Sequence, residues 1–292
     1  IALATSEASS GHSGYDYRYS DINFILLGEI IRRITGKPLS VFSHESIFEP
    51  LKMLDTSFGP APEQAARIAP TTRMEDESIL RGTVHDPTAR AMGGEAGHAG
   101  LFTTAHDLAR YSRMILNGGE LDGTRVLQTE TVELMSTVQT PETIVARRGL
   151  GFDIDSPYAG PRGETFPRGS FGHSGWTGTS LWIDPFSRTT VIFLSNRNHP
   201  SGGNVLALRH RLGTLAAEAT GFDFTKVTGA LSELTREEKE HAQETVQRPV
   251  GKVLSGIDVL AAGDFALLKG LKVGLITNPT GLDRERRTTI DL

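Results

Sequence analysis

The sequence contains no cysteine. Disulfide bonds, thiolate catalysis and cysteine-ligated zinc are therefore excluded. It also contains no apolar run long enough to cross a membrane. Its formal net charge of −5 lacks the basic excess that is typical of a nucleic-acid surface. We therefore expect no membrane span in this chain and no nucleic-acid partner.

The sequence also lacks an initiating methionine. It opens with Ile1, and residues 1–16 show no signal-peptide pattern. We expect the natural start, together with any targeting signal, to lie upstream. The 292 residues, of which 38% are hydrophobic and 22% charged, suit one large globular domain or two modest ones.

Helical periodicity dominates the first half of the sequence. The clearest helix begins at Ser20 or Asp21 and ends at Thr35, with apolar residues along one face and Gly36 behind it. Residues 54–100 are punctuated by proline and glycine, which predicts a long irregular stretch. Further helices are predicted over 41–48, from Thr104 to the glycines at 118–119, and from Thr129 to Met135.

Strand patterns follow. Residues 149–154, 179–183 and 189–194 read as strands, and the turn-rich connector over 184–188 predicts an antiparallel hairpin. Helices followed by an antiparallel sheet and a closing helix predict an α+β domain. The closing helix spans about 204–219, and its buried face is predicted to carry Leu208, Leu212 and Leu215.

The last part of the sequence changes character twice. Residues 232–248 are highly charged and nearly free of large apolar side chains, which is typical of an interdomain linker. After Pro249 the composition becomes apolar again, and residues 271–276 resemble a buried strand that ends in a polar loop. This pattern predicts the opening of a second, α/β domain.

Two short clusters carry residues suited to acyl transfer. Tyr19-Ser-Asp21 lies at the mouth of the first helix, and His173-Ser-Gly175 lies just before a predicted strand. A tyrosine can accept a proton when cationic neighbours favour its phenolate. An edge strand with His-Ser-Gly offers an imidazole, a hydroxyl and a close backbone approach, and the amide of Trp176 can face an oxyanion.

In this order and context, the clusters resemble the serine β-lactamase and penicillin-binding-protein family, in its class C β-lactamase, D-Ala-D-Ala carboxypeptidase and esterase branch. The run Gly97–Arg110 also resembles that branch. The resemblance implies a β-lactamase/transpeptidase-like fold, with an antiparallel sheet flanked by helices and a helical lobe. It implies catalytic roles for Tyr19, Asp21, His173, Ser174 and Trp176, and substrate contacts for Ser20, Gly175, Thr177 and Gly178.

The sequence departs from the family pattern in two places. Asp21 stands where the family usually has asparagine, so an amide donor is replaced by a negative charge. The family's first motif, Ser-Xaa-Xaa-Lys, is absent, because none of the seven lysines has a serine three positions before it. We expect an N-terminally truncated domain whose nucleophile lies upstream, and a chain that alone forms no acyl-enzyme.

The segment after residue 250 is similar to the start of the exo-acting β-N-acetylmuramidase family. The similarity rests on Ser255–Asp258, Leu268–Gly281 and Arg287–Leu292. It implies a serine hydrolase domain over 1–222, a linker over 223–249, and the truncated start of a muramidase-like domain over 250–292. It also implies a covalently fused muramidase-like domain as a partner, and an extracytoplasmic, cell-wall setting.

Plainer interpretations stay open on the sequence alone. Tyr19 can pack on the first helix with Asp21 as its N-cap, and His173-Ser-Gly175 can be an ordinary strand entry. The histidines at 12, 85, 98 and 106 match no metal-ligand spacing, so we expect loop or capping roles and no metal or cofactor.

The favoured function is a serine acyl-hydrolase that acts on peptidoglycan peptides or small esters. The alternative is a non-catalytic module that binds cell-wall peptides and is fused to a muramidase-like enzyme.

Overall fold

The computed structural model describes residues 1–6, 15–200 and 202–227. Most of the predicted linker and all of the predicted second domain lie outside the described residues. The described part is an assembly of helices and antiparallel strands, so the predicted α+β class is confirmed.

Seven α-helices occur in the described residues. The helix Leu39–Ser43 runs on into a π-helical turn at His44–Phe48, and together they cover the helix predicted over 41–48. The helix Asp21–Thr35 ends at Gly36, as predicted, and this glycine has a φ of 71°. Short 3-10 helices lie at Pro62–Arg67 and Gly160–Arg162. The α-helices are α1 (Ala2–Ser6), α2 (Asp21–Thr35), α3 (Leu39–Ser43), α4 (Pro87–Ala91), α5 (Ala105–Leu116), α6 (Thr129–Ser136) and α7 (Leu206–Ala219).

Eleven strands occur in the described residues. Six of them are two to four residues long and form three two-stranded pairs outside the main sheet. The strands are β1 (Ser57–Phe58), β2 (Pro70–Arg73), β3 (Ile79–Arg81), β4 (Leu101–Phe102), β5 (Glu120–Leu121), β6 (Thr124–Arg125), β7 (Arg147–Arg148), β8 (Asp153–Asp155), β9 (Phe171–Ser174), β10 (Ser180–Asp184) and β11 (Thr189–Phe193).

The main sheet has the strand order β11-β10-β9-β8-β7, and all its pairs are antiparallel. In the β10–β11 pair Ser180 lies opposite Phe193 and Asp184 opposite Thr189. This pairing confirms the predicted hairpin. The predicted strand over 149–154 is wrong for its first four residues, because residues 149–152 form the turn between β7 and β8.

Glycine explains that turn. The N–H of Gly149 donates to the carbonyl of Phe152 at 3.0 Å. A Cβ at Gly149 would lie 2.0 Å from the carbonyl oxygen of Met135, so the chain passes α6 too closely for any larger residue. Gly151 adopts a φ of 92°, which other residues rarely accept.

The predicted start of α5 is confirmed in detail. The Thr104 hydroxyl accepts a hydrogen bond from the N–H of Asp107 at 3.3 Å, as an N-cap does. Asp107 is buried, and its Oδ2 accepts from the N–H of Asp55 and from the hydroxyl of Thr56, both at 2.8 Å. The carboxylate therefore ties α5 to the start of the loop over 54–100.

The long stretch over 54–100 is less irregular than predicted. It contains the β2–β3 hairpin, strand β1 and helix α4. These elements are too short for a hydrophobic period to appear in the sequence. The prediction was therefore wrong for these short elements.

The main core lies between α5 and the sheet. Leu51, Met114 and Ile183 are fully buried there, and Phe152 packs against Phe171 with ring centroids 5.0 Å apart. Burial of one such side chain contributes roughly 1.5–3 kcal/mol. The core therefore supports the sheet directly beneath β9 and β10.

Helix α7 has a different buried face from the predicted one. Its buried residues are Arg209, Gly213 and Ala217, whereas Leu208 and Leu215 are about half exposed. A Cβ at Gly213 would lie 2.2 Å from the carbonyl oxygen of Pro161. The helix packs so closely on Gly160–Arg162 that small residues, not leucines, face inward.

Candidate active site

The two predicted clusters come together in the structure. Tyr19 precedes α2, His173 lies at the end of β9, and their rings stack with centroids 6.1 Å apart. The ring of Tyr158 also lies near that of Tyr19, with centroids 5.5 Å apart. Tyr19 therefore contacts two aromatic rings, and half of its surface is exposed.

The start of α2 excludes one plain interpretation. The N-cap position is held by Ser20, whose side chain forms no capping hydrogen bond, and Asp21 is the first helical residue. Asp21 is therefore not the N-cap. Its carboxylate instead lies close enough to Tyr19 to influence the ionisation of the phenol.

The His173 strand is not the edge strand that the sequence predicts. In the described residues β9 lies third in the sheet, between β8 and β10. Its register with β8 holds a single pair, Asp153 opposite Gly172, whereas its register with β10 continues to Ser174 opposite Ser180. On the β8 side, pairing thus stops just before His173, so β9 behaves as an edge only at the site.

A tight turn, the hairpin turn over Gly175–Thr179, links β9 to β10. The N–H of Gly175 donates to the Thr179 carbonyl at 2.7 Å. The buried guanidinium of Arg209, on α7, donates through Nη2 to the carbonyls of Gly175 at 2.8 Å and Thr179 at 2.7 Å. The turn is also held by the Ser195 hydroxyl, which donates to the carbonyl of Gly178 at 2.7 Å.

The predicted oxyanion donor lies in this turn. Within the described residues, the N–H of Trp176 donates no hydrogen bond. A free amide in a held turn can stabilise a developing oxyanion. The glycine before it has a packing role as well, since a Cβ at Gly175 would lie 2.3 Å from the Thr179 hydroxyl.

Arg148 lies beneath the aromatic residues. Its side chain is 9% exposed, and its Cζ lies 5.6 Å from the ring centroid of Tyr17 and 6.0 Å from that of Tyr19. Its Nη1 lies 3.7 Å from Oδ2 of the fully buried Asp153. We call Tyr17, Tyr19 and Tyr158 the tyrosine cluster; Arg148 is the cation that supports it.

These charges act on both candidate catalytic groups. Burial and the Asp21 carboxylate raise the pKa of Tyr19, and Arg148 opposes them. Burial lowers the pKa of His173, and Arg148 lowers it further, against a hydrogen bond to the Ser174 carbonyl and the Asp153 carboxylate. The histidine is therefore favoured as a neutral ring, and the tyrosine as a phenol.

The tautomer of His173 follows from its hydrogen bond. Its Nδ1 lies 2.9 Å from the carbonyl oxygen of Ser174, which can only accept. A neutral ring that donates from Nδ1 keeps a lone pair on Nε2. Nε2 is then available to accept a proton or a hydrogen bond from substrate.

The loop that follows α4 sets the position of α2. A Cβ at Gly97 would lie 2.0 Å from the carbonyl oxygen of Phe24. Beside it, the buried ring of His98 bonds through Nε2 to Oδ1 of Asp86 at 3.0 Å, and Asp86 caps α4. The predicted loop or capping role of the histidines holds for His98.

Sequence reasoning did not identify several residues of the site. Arg148 and Asp153 are placed by strands β7 and β8, Tyr158 by the turn that follows β8, and Arg209 by the packing of α7. The one local signal was an arginine pair, Arg147-Arg148, at the start of a buried sheet.

In the described part of the chain, no group of three His, Asp or Glu residues is placed to hold a metal ion, and no helix there is long and apolar enough to span a membrane.

An antiparallel sheet with His-Ser-Gly at the end of one strand, beside a helix that follows Tyr19-Ser20 and begins at Asp21, defines the class of β-lactamase-like α+β proteins. The chain matches the Beta-lactamase family over residues 3–215. It therefore belongs to that family.

Curated relatives and solved structures agree with this assignment. A protein of Escherichia coli (strain K12) named "Putative D-alanyl-D-alanine carboxypeptidase" is 34% identical over 203 residues, covering 64% of this chain and 46% of the relative. A relative of the same name from Salmonella schwarzengrund is 32% identical over 237 residues, covering 75% of this chain and 54% of its own. The chain thus spans about half the length of the curated relatives that it matches.

Two solved structures share the fold. A β-lactamase from Mycobacterium bovis aligns with a TM-score of 0.54 at 21% identity, over 75% of this chain and 70% of its own. EstCE1, described as a hydrolase with promiscuous acyltransferase activity, aligns with a TM-score of 0.54 at 17% identity, over 71% of this chain and 57% of its own. The predicted β-lactamase/transpeptidase-like fold is confirmed.

Proposed function

We propose that this chain is the larger part of a serine acyl-hydrolase domain that cleaves peptidoglycan peptides or small esters through an acyl-enzyme. The observation that carries the proposal is the stacking of Tyr19 on His173, with ring centroids 6.1 Å apart, beside a turn in which the Trp176 N–H donates no hydrogen bond to any described residue. Family membership supports the reaction class, and the names of the curated relatives support a D-alanyl-D-alanine substrate.

In this mechanism Tyr19 helps to remove the proton of the nucleophile, and the Trp176 N–H stabilises the oxyanion. The nucleophile and its lysine belong to a Ser-Xaa-Xaa-Lys motif, which the 292-residue sequence lacks. We propose that this motif lies in a segment before Ile1.

Burial and the Asp21 carboxylate raise the pKa of Tyr19, so its phenol needs a nearby cation to act as a base at neutral pH. Arg148 alone does not overcome burial and Asp21. A lysine ammonium next to the phenol would lower its pKa and make it a better base.

His173 and the hairpin turn complete the proposed machinery. In this proposal the neutral ring of His173 presents Nε2 to the substrate. Ser174, Thr177 and Gly178 contact the substrate along β9 and the hairpin turn. Because the proposed substrate belongs to the cell wall, we also propose an extracytoplasmic location. From the sequence after residue 250, we propose that the protein is fused to a muramidase-like domain.

The decisive experiment is active-site labelling of a longer protein that extends upstream of Ile1. We would treat it with a fluorescent phosphonate and a fluorescent penicillin, and then map the modified peptide. A labelled serine three residues before a lysine supports the proposal. Absence of label in a folded longer protein would favour the alternative, a non-catalytic module that binds cell-wall peptides.

Turnover then ranks the substrates. The same longer protein would be assayed with nitrocefin, a short-chain ester and a D-Ala-D-Ala peptide. The negative charge of Asp21 leads us to expect esterase or peptidase activity above β-lactamase activity. A larger kcat/KM on nitrocefin than on the other two would contradict that order.

A further inference from the structure

Arg148 and Asp153 form a buried charge pair beneath the candidate site. They lie opposite each other on β7 and β8, and their side chains are 9% and 1% exposed. Nη1 of Arg148 lies 3.7 Å from Oδ2 of Asp153, which is too far for a hydrogen bond. In the described part of the chain, this Nη1 and the other carboxylate oxygen, Oδ1, have no hydrogen-bond partner.

A charge pair with this geometry is a poor source of stability. The attraction between two buried charges offsets their loss of hydration only when hydrogen bonds satisfy the remaining donors and acceptors. Here the Ser156 hydroxyl donates to Oδ2 of Asp153 at 2.9 Å. Burial nevertheless raises the pKa of Asp153, against the Ser156 hydrogen bond and the Arg148 charge. The ionised carboxylate therefore opposes folding at neutral pH.

The guanidinium lies where it can act on the tyrosine cluster. Its Cζ is 5.6 Å from the ring centroid of Tyr17 and 6.0 Å from that of Tyr19, so one cation contacts both rings. The backbone of Arg148 is fixed independently of these rings. Its N–H donates to the Thr140 hydroxyl at 3.2 Å, and its carbonyl accepts from the N–H of Gln139 at 2.7 Å. The cation is thus attached to a rigid point of the sheet.

Tyr19, in contrast, needs restraint. It is half exposed, and the Ser20 side chain forms no capping hydrogen bond at the start of the helix that follows. Its ring has two aromatic neighbours, His173 and Tyr158. Proton transfer requires the phenol oxygen within hydrogen-bond reach of the nucleophile. A cation close to the ring adds an attraction with a defined direction.

We propose that Arg148, held by Asp153, is a positioning residue that fixes the ring of Tyr19 for proton transfer, and that the buried pair is kept for this role at a cost in stability. The proposal rests on the proposed acyl-hydrolase function and deepens it, because it assigns the orientation of the base to two buried residues of the sheet.

A double variant, Arg148→Met with Asp153→Asn, separates this role from a structural one. It removes both charges together and keeps an acceptor for the Ser156 hydroxyl. The urea midpoint of the 292-residue chain is expected to equal or exceed that of wild type, because no unpaired charge is left buried. A midpoint clearly below wild type would show that the pair is structural and would overturn the proposal.

The position of the Tyr19 ring can be measured in the same chain. Its ring stacks on that of His173, so nuclear Overhauser contacts between the two rings are expected in wild type. They should be lost in the double variant and kept in Arg147→Met, which removes the neighbouring arginine. Contacts that persist in the double variant would exclude a positioning role for Arg148.

Kinetics of the longer protein test the consequence for the reaction. In the double variant, kcat for a short ester is expected to fall about 10–100-fold while KM stays within about threefold, because the alignment of the proton transfer is lost and substrate contacts remain. Arg148→Lys keeps the charge without the planar guanidinium and should retain part of the wild-type kcat. Arg147→Met should leave both constants unchanged.

An unchanged kcat, or a loss that resides in KM alone, would overturn the positioning role. Labelling of the longer protein distinguishes this failure from that of the proposed function. If its serine is labelled but the double variant turns over like wild type, the positioning role alone is wrong. If no serine is labelled, the acyl-hydrolase proposal is wrong.

Discussion

The hairpin turn and the tyrosine cluster, the two sides of the candidate site, are held in place by different forces. The hairpin turn is fixed by hydrogen bonds from Arg209 and Ser195 and by glycines that admit no side chain. Tyr19 is fixed by ring contacts and by a buried cation at 6.0 Å, without a capping bond at the start of its helix.

The two sides also differ in free donors and in charge. Within the described residues, the N–H of Trp176 donates no hydrogen bond and lies in a turn that is bonded on both flanks. The pKa of Tyr19 is raised by burial and by Asp21, against the opposing effect of Arg148. The predictions below test this division, from the largest expected effect to the smallest.

Loss of the Tyr19 hydroxyl should have the largest effect. In the longer protein, Tyr19→Phe should lower kcat by about 10²–10⁴-fold, because it removes a group that transfers protons. Steady-state hydrolysis of a short ester measures this. Tyr17→Phe, within the same cluster, is the control and should be far milder; equal losses in both would assign the effect to packing.

Removal of the Arg209 guanidinium should have the largest effect on stability. Arg209→Met removes the guanidinium hydrogen bonds to the Gly175 and Thr179 carbonyls, which keep their backbone N–H donors, and should destabilise the 292-residue chain by about 1–3 kcal/mol. Urea unfolding followed by circular dichroism measures the change. Arg211→Met, on the exposed face of the same helix, should lie within about 0.5 kcal/mol of wild type. A similar loss in both variants would show that the hairpin turn does not depend on Arg209.

Arg148 should control the ionisation of His173. Its positive charge lowers the pKa of the ring, so Arg148→Met should raise that pKa, and the ring should protonate at higher pH. NMR titration of the imidazole signals, assigned with His173→Ala, measures the shift. Asp153→Asn should move the pKa in the opposite direction, because the Asp153 carboxylate raises it. Arg147→Met is the neighbouring control, and a shift there of the same size would contradict a specific role for Arg148.

Neutralisation of Asp21 should have a smaller effect of predictable sign. The carboxylate raises the pKa of Tyr19, so Asp21→Asn should lower it and move the acid limb of the kcat/KM profile to lower pH. Asp76→Asn, an exposed carboxylate between β2 and β3, is the comparison variant. An acid limb that moves to higher pH in Asp21→Asn would exclude Tyr19 as the group that must lose a proton.

The sequence predicted the elements whose signals are local. Thr104 marks the start of α5 through its own hydroxyl, and the β10–β11 hairpin follows from two apolar runs and the connector between them. Tyr19 and His173 were predicted as partners because their motifs resemble a family pattern, not because any local rule joins them.

Two of the errors share a physical cause, which is packing between segments that are distant in the sequence. The leucines of α7 suggested the wrong face, because close contact with Pro161 selects Gly213 and Ala217 instead. Arg148 was missed because it lies on β7 and contacts Tyr17 and Tyr19, which precede α2 and are distant in the sequence, so no sequence period can reveal these contacts. A buried charged residue such as Arg148 does not follow the pattern of apolar residues inside and charged residues outside, and sequence-based prediction of buried positions depends on that pattern.

The contact between Gly97 and α2 has a genetic consequence. Any other residue at position 97 brings its Cβ against the carbonyl oxygen of Phe24, 2.0 Å away, and must displace the helix that begins just after Tyr19. Gly28 faces the same loop, with its hypothetical Cβ 3.4 Å from the Gly97 amide. A random-mutagenesis screen for inactive but well-expressed clones of the longer protein should therefore recover substitutions at Gly97, although Gly97 itself touches no reacting group.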